Sequence, residues 1–268
     1  LPSSEWDRVL PFRNNHQAKL YNKRKVNCKV KIYTLTIISM KISVIIPVYN
    51  EERYILEVLN RVNNQRKNLD LEIIIADDGS KDKTLEIIKQ NKNLYEKLVE
   101  NKVNNGKGSA IISALEHVSG DYIIIQDADL EYDPSDYTKL IEPVKKFGAD
   151  VVYGSRFKGS EAKRILYFKN RIANHILSFL VSIITNINFS DVETGYKLIK
   201  SDILKNLNLS ENSFAIEIEI TMKLAKKKLK FFEVGISYNG RTFEEGKKIK
   251  MSDGFIALYK IFSYAFKK

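Results

Sequence analysis

The sequence predicts an α/β protein built on a mainly parallel sheet with helices on both faces. From residue 42 onward, short apolar runs alternate with segments of helical spacing, as in chains whose strands are joined by crossover helices. The four strongest runs are almost continuously apolar, which is typical of strands buried on both faces. Pairs of carboxylates follow two of these runs directly, so one edge of the sheet is expected to carry a binding site.

The predicted strands cover residues 42–46, 71–76, 121–126 and 150–154. The segments with helical spacing that connect and follow them are 51–64, 81–90, 106–118 and 135–147. Ser80 and Ser135 precede or open two of these helices and are predicted to be N-caps. Right-handed crossovers would place the acidic loops on the same edge of the sheet.

Length and composition limit the class of protein. The chain has 268 residues, enough for one large domain or for a core with an appended region. A single cysteine, Cys28, excludes a disulfide framework, and three histidines without metal-ligand spacing argue against a zinc site. We therefore expect any metal to be held by oxygen ligands, as Mg²⁺ or Mn²⁺ would be.

The net charge of +11 is unevenly distributed. Residues 1–39 hold eight Lys or Arg against two Asp or Glu, which is +6 of the total. We expect residues 1–40 to be a basic leader that is disordered or not native, with translation starting at Met40. A secretory signal is disfavoured because the apolar stretch 32–40 is short and interrupted, whereas a basic arm that touches anionic lipid remains an alternative. Nucleic acid is not an expected partner, since no aromatic and basic platform accompanies the charge.

Carboxylates stand at the ends of two predicted strands. Asp127 and Asp129 follow the run 122–126, and Asp77 and Asp78 follow the run 71–76. Two carboxylates one residue apart at a strand end form a seat for a hard divalent cation. Because parallel strands end at one edge, a single shared site is the simplest interpretation. An acidic pair alone is as often a helix cap.

The motifs, taken in order, resemble glycosyltransferase family 2. The motifs that carry this resemblance are residues 42–51, 76–80, 105–108 and 127–129. Within the family, the chain is similar to the dolichyl- and polyprenyl-phosphate mannose or glucose synthases through residues 154–156, 193–197 and 240–249. The resemblance implies a GT-A fold, a nucleotide-sugar donor, and a C-terminal acceptor region with amphipathic interface helices.

The resemblance also implies a donor site. By resemblance, the base and ribose are surrounded by Pro47, Tyr49, Glu51, Asp77 and Asp78, and Lys107, Asp127 and Ala128 complete the nucleotide-sugar-binding set. Residues 106–108 open a helix, where backbone amides and the Lys107 ammonium favour an anion. A turn without a ligand is the alternative for these glycines.

Metal-binding and catalytic candidates follow from the chemistry of the leaving group. Asp129 is the first candidate for a metal ligand, because a cation that bridges the donor phosphates lowers the barrier. The resemblance suggests Glu131 as a second ligand, and Asp127 as an assisting one. The catalytic candidates are Asp129 and three cations that, by resemblance, contact the donor diphosphate or a lipid phosphate: Arg156, Arg241 and Lys247. Surface charge is the alternative for such cations.

The resemblance divides the rest of the chain into two parts. Residues 41–156 are the nucleotide-sugar-binding half, and residues 157–268 are the acceptor-binding region with a C-terminal amphipathic helix. Residues 172–190 are too short and polar for a membrane span and predict an interfacial helix. The last helix carries a stripe of Phe255, Leu258, Tyr259, Phe262 and Phe266. Core packing is the alternative for both, and otherwise we expect peripheral contact with the cytoplasmic face of the membrane.

The expected function is inverting transfer of a hexose, mannose or glucose, from GDP-mannose or UDP-glucose to a polyprenyl or dolichyl phosphate. A lipid phosphate is already ionised near neutral pH, so no general base is required. A first alternative is a family 2 glycosyltransferase acting on a saccharide hydroxyl, which needs an essential carboxylate at Asp191 or Glu193. A second is a non-enzymatic phosphate-receiver switch, against which the long basic region after residue 154 argues.

Overall fold

The computed structural model describes residues 40–165, 167–242, 244–246, 248 and 251–266. The leader predicted at residues 1–40 therefore lies outside the described residues, apart from Met40. The strands are β1 (Lys41–Val48), β2 (Asp70–Asp77), β3 (Lys97–Glu100), β4 (Tyr122–Ile125), β5 (Val151–Ser155), β6 (Lys197–Lys200) and β7 (Phe231–Gly235). The α-helices are α1 (Ile55–Asn64), α2 (Thr84–Gln90), α3 (Lys107–Leu115), α4 (Tyr137–Phe147), α5 (Phe168–Thr185), α6 (Ser201–Lys205), α7 (Ile216–Ala225) and α8 (Met251–Phe266).

The described strands form one seven-stranded sheet in the order β3-β2-β1-β4-β6-β5-β7. The predicted α/β class is confirmed, and each of the four predicted strands is present. β6 pairs antiparallel with both β4 and β5, whereas the other neighbours pair in parallel. The amino end of β6 therefore lies at the edge where the parallel strands end, which brings the loop before β6 to that edge.

The two faces of the sheet carry separate cores. Alternate residues of a strand point to opposite faces, so Ile45 and Ile74 pack with α3, α5, α6, α7 and α8, whereas Val44 and Ile73 pack with α1, α2 and α4. All four of these side chains are fully buried. Burial on both faces is the physical reason for the almost continuous apolar runs in the sequence.

Neither predicted N-cap is found. α2 begins at Thr84, and the Ser80 hydroxyl instead accepts a hydrogen bond from the Asn50 amide at 3.0 Å. Ser135 lies inside a short 3₁₀ turn that precedes α4, and the Asp133 carboxylate caps this turn by accepting from the Ser135 amide at 2.9 Å. Both helices therefore start later than predicted, α2 at Thr84 and α4 at Tyr137.

A buried carboxylate ties strands together at the edge opposite their carboxyl ends. Glu72 accepts hydrogen bonds from the Ser43 hydroxyl at 2.5 Å, the Ser119 amide at 2.9 Å and the Lys41 ammonium at 3.0 Å. Burial alone would raise the pKa of Glu72, but the hydrogen bonds from Ser119, Ser43 and Lys41 outweigh burial and lower the pKa to about 2. The ionised carboxylate is thus part of the folded structure.

Helix α8 is anchored on one side. Its Ala257 and Ile261 side chains are buried in the core. Glu211, in the loop before α7, accepts hydrogen bonds from the Lys260 ammonium at 2.6 Å and the Tyr264 hydroxyl at 2.7 Å. These contacts fix which face of α8 is turned inward.

The outward faces of α5 and α8 are apolar. Phe179 of α5 is 63 % exposed, and Phe255 and Tyr259 of α8 are 70 % and 69 % exposed. Large exposed apolar side chains that lie together on a surface mark an interaction site. None of the helices in the described ranges combines the length and hydrophobicity needed to cross a membrane.

Candidate active site

The predicted site residues converge at the edge where the parallel strands end. A cavity of about 470 Å³ opens there, lined by loops that follow the strands and by α3, α5, α7 and α8. All of the predicted donor-site residues except Asp77 line it, as do Asp129, Glu131, Arg156 and Arg241. Lys247 lies outside the described residues.

The two adjacent aspartates at the end of β2 have different surroundings. Asp78 lines the cavity, and its Oδ2 accepts hydrogen bonds from the Asn105 amide at 2.9 Å and the Gly106 amide at 2.6 Å. Asp77 is buried, and its Oδ2 accepts from the Ser80 amide at 3.0 Å. Asp78 therefore shapes the turn before α3 as well as the cavity wall.

Two backbone amides at the amino end of α3 have protein acceptors. The Gly106 amide is bound to Asp78, and the Ser109 amide donates to the Asn212 carbonyl at 3.2 Å. A Cβ at Gly108 would collide with the backbone of Glu211, so this glycine permits a close backbone approach. The Lys107 ammonium of the anion site predicted at residues 106–108 is paired with Asp127 and Glu217.

A cluster of carboxylates surrounds the Arg241 guanidinium. Its Nη2 lies 3.1 Å from Asp129 Oδ2, and its Nη1 lies 3.2 Å from Glu51 Oε2. The Arg241 amide donates to Glu131 Oε1 at 2.7 Å, and the Tyr238 hydroxyl donates to Glu131 Oε2 at 2.7 Å. Arg241 thus holds three carboxylates that come from the loops after β1 and β4.

The charge around Asp129 fits a divalent cation. Burial, together with the negative charges of Glu131 and Asp127, raises the pKa of Asp129 to about 7, although Arg241 opposes this shift. Carboxylate oxygens are the ligands that Mg²⁺ and Mn²⁺ prefer. The described side chains do not form a ready group of three or more such ligands. Asp129 and Glu131 match the ion in charge and ligand type, with Arg241 supplying positive charge beside them.

A chain of alternating charges runs along the cavity wall through Lys107, Asp127 and Glu217. The Lys107 ammonium lies 2.7 Å from Asp127 Oδ1 and 2.8 Å from Glu217 Oε1. The buried Lys197 ammonium also contacts Glu217 and donates to the Thr194 carbonyl at 2.5 Å. Burial alone would raise the pKa of Glu217, but Lys107 and Lys197 outweigh it and lower the pKa. Glu217 is therefore a counterion for two lysines, and Asp127 is oriented by Lys107.

Arg156 is held rigidly at the end of β5. Asp191, which is fully buried, accepts hydrogen bonds from the Arg156 amide at 3.0 Å, from Nε at 2.7 Å and from Nη2 at 2.6 Å. The guanidinium carbon lies 5.3 Å from the centre of the Tyr238 ring, a cation-π contact. Both oxygens of Asp191 are occupied, so this residue does not fit the role of a general base.

Glu193 is the second of the two carboxylates, after Asp191, one of which transfer to a saccharide hydroxyl would require. It lines the cavity, and its Oε1 is enclosed without a hydrogen-bond partner among the described residues. Burial raises the pKa of Glu193 to about 7, with Lys197 opposing and Glu217 adding to the shift. The carboxyl group is therefore poised between its two protonation states near neutral pH.

Several residues of the site were not predicted. The Lys248 ammonium donates to Glu51 Oε1 at 2.7 Å and contacts the Tyr49 carbonyl. The Tyr132 hydroxyl accepts from the Gly195 amide at 2.8 Å, which ties the loop before β6 to the loop after β4. Lys248 adjoins a predicted residue in a Lys-Lys pair, so its position was detectable. A lone tyrosine such as Tyr132 carries no such signal.

The chain matches a known protein family and has relatives of similar sequence. The family model for glycosyl transferase family 2 matches residues 43–207. A dolichol-phosphate mannosyltransferase of Pyrococcus furiosus is 31 % identical over 215 residues, which cover 78 % of this chain and 61 % of that protein. The glycosyltransferase AglJ of Haloferax volcanii is 27 % identical over 201 residues, which cover 75 % of this chain and 63 % of that protein. The chain thus spans a little over three fifths of the length of these two relatives.

Solved structures show the same fold. The glucosyl-3-phosphoglycerate synthase of Mycobacterium tuberculosis, in complex with Mn²⁺, uridine diphosphate and phosphoglyceric acid, superposes with a TM-score of 0.66 at 19 % identity. The superposition covers 85 % of this chain and 80 % of that one. The likeness confirms the GT-A fold predicted from the motifs.

Proposed function

This chain belongs to glycosyl transferase family 2, and on that premise we propose that it moves a hexose from a nucleotide-diphosphate sugar to a polyprenyl or dolichyl phosphate. The hexose is mannose or glucose, the donor is GDP-mannose or UDP-glucose, and the anomeric carbon is inverted. One observation carries the proposal: a single cavity joins an acidic wall around Asp129 to a wall formed by Arg156 and two partly apolar helices.

In this proposal the nucleotide-sugar donor binds to residues 41–156. The loop after β1, including Tyr49 and Glu51, and the Asp78 turn lie at one end of the cavity, where base and ribose fit. Asp129 and Glu131 would hold a Mg²⁺ or Mn²⁺ ion, which would supply Lewis-acid stabilisation of the diphosphate leaving group. Arg241 lies beside both carboxylates, where its guanidinium would contact the same phosphates.

The acceptor binds to residues 157–268 and to Arg156. Asp191 orients the Arg156 fork, which leaves one edge of the guanidinium for a phosphate oxygen. An ionised phosphate needs no base to attack the anomeric carbon, so orientation and charge neutralisation suffice. The dolichol-phosphate mannosyltransferase relative supports this acceptor.

Peripheral contact with the cytoplasmic face of a membrane completes the proposal. Apolar residues of α5 and α8, among them Leu177 and Leu258, line the cavity, and the same two helices expose Phe179, Phe255 and Tyr259. An apolar helix face beside the cavity suits a lipid whose phosphate enters the site while its chain stays in the bilayer.

Transfer to a saccharide hydroxyl is the second candidate function. The observation that favours it is Glu193, a cavity-lining carboxyl group with an enclosed oxygen that has no partner among the described residues. In this candidate Glu193 would accept the proton of the attacking hydroxyl.

The test is transfer of radiolabelled hexose from UDP-glucose and GDP-mannose to undecaprenyl phosphate, with Mg²⁺ or Mn²⁺ or with chelator. We expect labelled lipid from one donor only with metal, and a fall of about 100-fold or more in the Asp129→Asn variant. Asp202→Asn, an exposed aspartate on α6, is the matched control and should transfer like the wild type. Donor hydrolysis without labelled lipid would overturn the proposal and direct the search to saccharide acceptors.

A further inference from the structure

A side chain in the acceptor half of the cavity has no role in the transfer to a lipid phosphate proposed above. Glu193 lies in the loop before β6, two residues from Arg156's partner Asp191, and lines the cavity together with Leu177 and Leu258. Its Oε1 is enclosed and lacks a hydrogen-bond partner in the described part of the chain. A buried polar atom without a partner is costly unless a ligand or a proton satisfies it.

The charged groups that face Glu193 already balance one another. Arg156, at the end of β5, is bound to Asp191, and Lys197 of β6 is bound to Glu217 of α7. Among these pairs, each cation has a closer carboxylate than Glu193. An ionised Glu193 would thus add an uncompensated negative charge to the acceptor half.

Among the described residues of α5 and α8, none of those that line this part of the cavity is a cation. The residues of α5 that line it include Asn170, Asn174 and Leu177, and those of α8 include Asp253 and Leu258. An acceptor phosphate that approached Arg156 would therefore meet a second negative group at Glu193 if that group were ionised. Like charges in a site of low dielectric repel strongly.

We propose that Glu193 is protonated in the acceptor complex and donates a hydrogen bond from its carboxyl group to an oxygen of the acceptor phosphate. The inference rests on the proposed function and deepens it, because it makes Glu193 a determinant of specificity for a phosphate acceptor. The proton stays on Glu193 throughout the transfer. The raised pKa of about 7 supports this state near neutral pH.

The two roles open to Glu193 predict opposite results for one substitution. A glutamine keeps the size of the side chain and a hydrogen-bond donor, but cannot accept a proton. If Glu193 donates to a phosphate, Glu193→Gln keeps activity. If Glu193 is a general base for a hydroxyl, Glu193→Gln abolishes it.

The experiment measures initial rates of hexose transfer to undecaprenyl phosphate between pH 5.5 and 9 for wild type, Glu193→Gln and Glu193→Leu. Glu142→Gln, an exposed glutamate paired with Lys146 on α4, is the matched control. We expect the KM of the wild type for the acceptor to rise as the pH increases above 7. The ratio of the Glu193→Gln rate to the wild-type rate should rise over the same pH range. Glu193→Leu should raise the acceptor KM about 10-fold or more at pH 6, with an unchanged donor KM.

The outcomes separate this inference from the proposed function. If the wild type labels the lipid but Glu193→Gln binds donor and is inactive at every pH, Glu193 is a base and the inference is overturned. A wild-type acceptor KM that does not change across pH 7 also overturns it, even if the variants fail to fold. Failure of the wild type to label lipid phosphate with either donor overturns the proposed function itself.

Discussion

Replacing Asp191 with asparagine tests how much the buried ion pair between Asp191 and Arg156, at the end of β5, stabilises the folded protein. Asp191 is fully buried, accepts three hydrogen bonds from Arg156, and faces a guanidinium whose side chain is only 11 % exposed. The variant keeps the size of the side chain but leaves a buried cation without its counterion. Breaking a buried pair in this way costs about 3–5 kcal/mol.

Because asparagine retains one oxygen that can accept from the Arg156 amide, we expect the lower end, about 3 kcal/mol. For a domain of this size, this loss lowers Tm by roughly 6–12 °C. Urea unfolding with an unchanged m-value should give the same loss of free energy. The double variant Arg156→Met, Asp191→Asn should recover part of it, since the unpaired charge is gone.

The matched control is Glu57→Gln on α1, which breaks an exposed pair with Arg61 at 2.7 Å. An exposed pair contributes about 0.5 kcal/mol or less, so this variant should unfold almost like the wild type. An Asp191→Asn protein within about 1 kcal/mol of the wild type would show that Arg156 is not held by this carboxylate.

Three further predictions concern other parts of the molecule. Glu72→Gln should destabilise the protein by about 2 kcal/mol at pH 7, because the folded state keeps the Glu72 carboxylate ionised. The difference in free energy of unfolding between this variant and the wild type should vanish as the pH falls from about 4.5 to about 2. Lys107→Met should lower transfer about 10-fold or more and destabilise the fold, since it leaves Asp127 without its cation and leaves Glu217 with Lys197 alone. Phe179→Glu and Tyr259→Glu should each weaken binding to vesicles with anionic lipid about 10-fold without lowering Tm, because both side chains are exposed.

Each of these predictions has a result that contradicts it. A Glu72→Gln deficit that persists unchanged at pH 2.5 would mean that ionisation is not the source of the stability. A Lys107→Met protein with normal transfer would remove Lys107 from the donor site. For the vesicle experiment the control is Leu56→Glu, a half-exposed position on α1, and equal weakening in this control would refute a specific docking face.

Strands with long, continuously apolar runs were predicted from the sequence, whereas two short strands with charged ends were not. β1 and β2 are eight residues each and buried almost throughout, so their pattern is clear. β3 and β6 are four residues each, with charged residues at both ends, and neither was predicted. Lys197 opens β6 and is fully buried, which no local rule predicts, because its partner Glu217 lies on α7.

The site was predictable to the extent that strand ends determine it. Residues after β1, β2 and β4 meet because parallel strands end at one edge, so Tyr49, Asp78 and Asp129 line one cavity as expected. The partners of these residues were not predictable. That Arg241 lies between Glu51 and Asp129 depends on the path of a loop that comes 190 residues after Glu51 and 112 residues after Asp129 in the chain.

In the proposed reaction a phosphate, and not a hydroxyl, accepts the sugar. The most direct measurement offers the metal-loaded protein its labelled donor with either undecaprenyl phosphate or undecaprenol in the same mixed micelles. We expect label in the lipid phase only with undecaprenyl phosphate, linked through phosphate with the anomeric configuration opposite to that of the donor. Label transferred to undecaprenol, or to an added saccharide but not to the lipid phosphate, would refute a phosphate acceptor.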